Sequence, residues 1–147
     1  MLLSLSEDVT AIVGKREYNS TINSIYGFSL PLKSNGLPNW EDSVRKNSLD
    51  AVRMFSTYKR ATVIIVIMAE PLGEGIPPMR ICSFGSDNSF TATDVKNRLD
   101  TIVSLLKEKG ISVLTYSTDG DSRVIINYHK LNVILLLTNR SIFIFQE

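Results

Sequence analysis

Two aspartates, Asp119 and Asp121, stand one residue apart in the stretch ISVLTYSTDGDSR, residues 111–123. Carboxylates at the carboxyl end of an internal strand are where an α/β sheet meets a metal ion or a phosphate. A second acidic pair, Glu7 and Asp8, falls early in a strand-like opening segment, residues 5–13. Were the two pairs brought side by side, their carboxylates could share a metal ion, given ligand bonds of about 2.0–2.6 Å each. Magnesium takes oxygen ligands from a few carboxylates plus water and substrate phosphates. The same letters also make an ordinary turn. Asp119-Gly120 between residues 112–117 and 123–128 suits a two-residue hairpin, because Asp-Gly readily adopts positive φ. Glu7 and Asp8 equally suit solvated positions at the start of a strand. Both readings stand on these residues alone.

Other chemistries have less support. Cys82 and His129 are the only cysteine and histidine, so a zinc site of four nitrogen and sulfur ligands cannot be built. His129 has no Ser, Cys or acid partner nearby in sequence for a triad. The Gly- and Pro-rich residues 71–78 lack the Lys and Ser/Thr of a phosphate-binding loop. Cys82 sits in an apolar strand and reads as a small hydrophobe. The pairs Lys15-Arg16, Arg45-Lys46 and Lys59-Arg60 are dispersed and read as solvated faces, although gathered on one side they would meet phosphates.

The 147 residues suffice for one domain with its own core. A hydrophobic content of 44% with 21% charged residues excludes a disordered tail. With a net charge of +1 and a pI near 7.8, any nucleic-acid contact needs a local basic patch. The start MLLSLSED lacks the basic flank and apolar length of an export signal. The apolar run at 61–69 is far shorter than the roughly 20 residues of a spanning helix. The chain therefore reads as soluble and intracellular, nuclear or cytoplasmic, with no membrane partner.

These candidates need elements to hold them. Residues 5–13 read as a strand, and 15–18 and 25–30 as a hairpin around the polar 19–23. Pro31, Gly36 and Pro38 make 31–39 a loop. A helix is expected over 41–58, with Val44, Ser48, Val52 and Phe55 on one face and Leu49 beside it. The continuous run 61–69 reads as a central strand covered on both faces, and 79–84 as a shorter one. The clearest helix spans 92–109, with a capping box from Thr91 and Asp94 and a left-handed cap at Gly110. Its apolar stripe is Val95, Leu99, Ile102 and Leu106. Residues 111–117 follow as a strand.

An antiparallel meander, then a helix, then a parallel strand ending at Asp119 is the order of an RNase H-like α/β fold with a mixed sheet. The helix at 41–58 is an insertion into it. In this arrangement the first strand lies beside the strand after the helix, so Glu7 or Asp8 nears Asp119. The segments EDVTAI (7–12), IYGFSLPLKSNGLP (25–38), VIMAEPLGEGIPPMRICSFGSDNSFTATDV (66–95) and ISVLTYSTDGDSR (111–123) resemble transposase-related proteins of animal mobile elements. They are similar to the P-element-like group, over about residues 5–123.

That resemblance implies a catalytic acid on the first strand and a second before an Asp-Gly step, here Asp8 (or Glu7) and Asp119. It implies Mg or Mn as cofactor, with Asp121 a further metal-ligand candidate, and DNA as partner. A third acid is normally supplied by a downstream helix. After Asp121 the only acid is the terminal Glu147, so full transposase activity is not expected. Residues 1–123 thus read as an incomplete RNase H-like domain. Residues 124–147 form an apolar tail, expected as strands at 124–128, 132–138 and 141–145. The tail reads as the mark of a truncated reading frame, and its exposed strands offer self-association. The competing reading is a non-enzymatic α/β interaction module with Asp119-Gly120 as a hairpin turn.

Overall fold

The computed structural model describes residues 1–43, 48–118, 133–138 and 141–146. Alternating apolar and polar residues build the first strand, β1 (Leu2–Ala11), which buries Leu3, Leu5 and Glu7 on one face. A small hairpin follows, β2 (Glu17–Asn19) with β3 (Ser24–Tyr26). Asn19 closes its turn by accepting backbone hydrogen bonds from Thr21 and Ile22.

The expected helix over 41–58 is shorter than its pattern. A 3-10 turn covers Trp40–Ser43, residues 44–47 lie outside the described set, and α1 runs Ser48–Thr57. Its packing face also differs from the expectation. Leu49 and Val52 are 78% and 67% exposed, whereas Met54 is buried with Ala51 and Tyr58 beside Ile25 and Phe28. The helix carries two apolar stripes, and the position of Ile25 and Phe28 selects between them.

Two strands follow, β4 (Val63–Pro71) and β5 (Met79–Ser86), paired antiparallel. β4 was expected to be covered on both faces. Instead burial alternates: Ile65, Ile67 and Ala69 are buried, and Ile64, Val66 and Met68 are only half-buried. One face lines the core built with the next helix, α2, and the other has no comparable cover among the described residues. That helix (Ala92–Glu108) begins where the sequence places it. Thr91 and Asp94 form a reciprocal capping box, and Gly110 takes φ +72 just beyond the end. Glycine adopts that backbone without the steric cost of a Cβ.

The chain then enters β6 (Ser112–Thr118), and β7 (Val133–Thr138) and β8 (Ser141–Gln146) complete the described elements. The result is an α/β structure with a mixed six-stranded sheet in the order β5-β4-β1-β6-β8-β7. β1 is antiparallel to β4 and parallel to β6. Two tail strands form as expected, while 124–128 falls outside the described residues. No helix is long and apolar enough to cross a membrane among the described residues.

The main core lies between α2 and one face of the sheet. Leu3, Leu5, Ile65, Ile67, Val95 and Ile102 are buried in it. Each contributes about 1.5–3 kcal/mol relative to an exposed side chain.

Candidate functional site

β1 carries its two acids on opposite faces of the sheet, because side chains alternate along a strand. Glu7 follows Leu3 and Leu5 onto the face beneath α2 and is 3% exposed. Asp8 lies on the other face with Ser4, Ser6 and Thr10, and is exposed.

Glu7 meets Arg98, which is 0% exposed in the second turn of α2. Arg98 Nη2 donates to Glu7 Oε1 at 2.5 Å and Nε donates to Oε2 at 3.2 Å. The planar guanidinium matches both carboxylate oxygens, the geometry that makes such pairs strong. Its Nη1 donates to the Gly36 carbonyl at 3.3 Å. The rings of Phe84 and Phe90 lie 5.4 and 5.8 Å from the Arg98 Cζ. Each charge therefore has a partner, which is what lets both leave water.

A loop straps this pair in place. Asn97 donates to the Ser34 carbonyl and Thr101 to that of Asn35, on either side of Arg98 along the helix. Gly36 sits at φ +73 against α2, where a Cβ would come within 2.1 Å of the Asp94 carbonyl oxygen. Only glycine fits that approach. Sequence reasoning missed Arg98 because it followed the apolar residues of α2. The signal was present: Val95, Arg98 and Ile102 recur at i, i+3 and i+7, and Leu3, Leu5 and Glu7 at period two.

On the outer face, Asp8 Oδ2 accepts from Thr10 Oγ1 at 2.6 Å. Thr115 Oγ1 donates to Ser4 Oγ at 2.7 Å, joining β6 to β1 through hydroxyls. The parallel register pairs Glu7 with Thr118. Asp119 is the next residue after Thr118, and both Asp119 and Asp121 lie outside the described residues. Glu7, the alternative first acid, is engaged by Arg98, so Asp8 is the β1 carboxylate open to a ligand. Among the described residues no three His, Cys, Asp or Glu side chains cluster as metal ligands.

A third acid, Asp87, closes the end of β5. It accepts from Ser29 Oγ at 3.1 Å and Ser89 Oγ at 2.5 Å, and pairs with Lys59 at 3.1 Å. Burial opposes its ionisation, but hydrogen bonds from Ser89, Lys59 and Ser29 outweigh it and hold the carboxyl at about 2. Asp87 borders a cavity of about 340 Å³ between the 29–32 segment, Tyr58 and the start of α2. Burial pushes the Cys82 thiol up, against the opposing effect of Arg98, and a raised thiol is a poor nucleophile.

Comparison with protein-family models, curated proteins and solved structures returned no match to this chain.

Proposed function

We propose that this chain is an RNase H-like domain related to transposases of the P-element-like group, retaining DNA and divalent-metal binding without complete phosphodiester-transfer machinery. The observation that carries the reading is the strand order β5-β4-β1-β6, with β1 and β6 parallel neighbours. That adjacency is what a site shared by an acid of the first strand and one following β6 requires. Asp8 supplies the first carboxylate and Asp119 the second, with Asp121 beside it in sequence. Magnesium or manganese held there would polarise a phosphate oxygen or activate water.

Two observations support the incomplete part of the reading. The acid of β1 that faces α2, Glu7, has both carboxylate oxygens occupied by Arg98. After Asp121 the sequence offers no acid before the terminal Glu147, so a third carboxylate from a downstream helix is missing. The competing reading, a hairpin around Asp119-Gly120, needs a free edge on β6. Between Thr115 and Thr118 that strand is paired with β1 on one side and β8 on the other.

Thermal melting during Mg2+ or Mn2+ titration tests the proposal. A ligand that binds only the folded state stabilises it by about 2.7 kcal/mol at a hundredfold excess over its Kd. The melting temperature should rise with metal in the native chain and not in Asp8→Asn or Asp119→Asn. An equal rise in all three, or none in the native chain, removes the metal site.

A further inference from the structure

The fold gathers basic residues that the sequence disperses, and it does so at one end of the sheet. Residues 14–16 follow the end of β1, and residues 59–61 precede the start of β4, antiparallel to it. Ile12 N–H donates to the Thr62 carbonyl, continuing the contact beyond the paired strands. The segment 27–29 lies against both. Ala61 N–H donates to the Gly27 carbonyl, Ser29 N–H to that of Lys59, and Phe28 bridges to Arg60.

These approaches are backbone to backbone. A Cβ on Gly27 would meet the Lys15 carbonyl oxygen at 1.9 Å, and one on Gly14 would meet Ala61 O at 2.1 Å and Arg60 Cγ at 2.9 Å. Lys15, Arg16, Lys59 and Arg60 are thereby fixed as neighbours, and all four are exposed. Arg16 is oriented as well. It donates to the Phe55 carbonyl at 3.0 Å, with its Cζ 5.7 Å from the Phe28 ring and 5.4 Å from that of Phe55. Lys15 pairs with Glu17 and Lys59 with Asp87, whereas Arg16 and Arg60 have no ion-pair partner among the described residues.

We propose that Lys15, Arg16 and Arg60 form a docking surface for the phosphodiester backbone of DNA. A guanidinium already held by a carbonyl and two rings loses little side-chain entropy on binding phosphate, and its planar fork suits phosphate oxygens. The surface lies beyond the carboxyl end of β1, the strand that carries Asp8. This deepens the DNA-binding part of the proposed function and rests on it for the choice of DNA. The cations themselves need neither Asp8 nor a metal.

The test is fluorescence anisotropy of a labelled 20-base-pair duplex of arbitrary sequence, with EDTA present and salt varied. Each phosphate contact contributes about 0.9 to the slope of log K against log salt. Lys15→Gln/Arg60→Gln should lower that slope by about 2 and weaken binding roughly tenfold or more at low salt. Arg16→Gln added to that pair should lower the slope further. Lys96→Gln/Lys107→Gln on α2 should leave the slope within about 1 of the native value. An unchanged slope in a Lys15→Gln/Arg60→Gln protein that melts normally overturns the surface, as does absence of salt-dependent binding by the native chain. Because EDTA is present, loss of the metal site leaves this result unaffected.

Discussion

Glu7 and Asp8 are consecutive acids on one strand, yet they have opposite environments. Glu7 is buried beneath α2 and held through both carboxylate oxygens by Arg98, whose guanidinium lies against Phe84 and Phe90. Asp8 is exposed among hydroxyls and touches only Thr10 in the described hydrogen bonds. The difference is one step of strand alternation. It separates an acid whose charge holds the fold together from one whose charge is open to a ligand. A dipeptide that reads as a single acidic feature is therefore two unrelated devices.

The largest effect should come from breaking the inner pair. Arg98→Met leaves Glu7 buried without its cation, at a cost of about 3–5 kcal/mol in urea unfolding. Replacing both partners, Glu7→Leu with Arg98→Met, should recover most of that loss, since apolar substitutes need no compensation. If Arg98→Met costs under about 1 kcal/mol, the pair is not the buried anchor described.

Acid should sharpen the contrast with a second tethered carboxylate. Asp87 is held at about 2 in the folded chain, below the ordinary 3.8. Its contribution is present above the unfolded value and is lost as pH falls from about 4 through about 2. Roughly 2 kcal/mol should disappear over that window. Asp87→Asn should remove this part of the pH dependence of melting.

A smaller effect belongs to the start of α2, whose first turn lies just ahead of Arg98. Thr91→Ala removes the side chain that caps Asp94 N–H and should cost about 1 kcal/mol in chemical denaturation. The smallest belongs to the outer acid. Asp8→Asn should change stability by less than about 0.5 kcal/mol while abolishing any metal-induced rise in melting temperature. A stability loss as large as that of Arg98→Met would erase the distinction between the two faces.

Local signals made several elements legible. The helix α2 was readable because its capping box and terminal glycine are short-range chemistry, fixed by residues three or four apart. The hairpin at β2 and β3 followed from the polar cluster 19–23 between residues 15–18 and 25–30. The packing face of α1 was not legible, because two apolar stripes competed and only Ile25 and Phe28, distant in sequence, selected Met54. The candidate site divided similarly. Asp8 was singled out as an acid, but its separation from Glu7 required knowing which face of β1 α2 covers.

The sequence by itself determined where α2 starts and stops, because its capping box and terminal glycine act over a few residues. It also determined that any basic surface had to be local, since the net charge is only +1. Tertiary structure alone decided that Arg98 reaches Glu7 across 91 residues and that Lys15-Arg16 lies beside Lys59-Arg60. Such pairings depend on strand order and register. Those are set by how the whole chain buries its apolar surface, not by any segment taken alone.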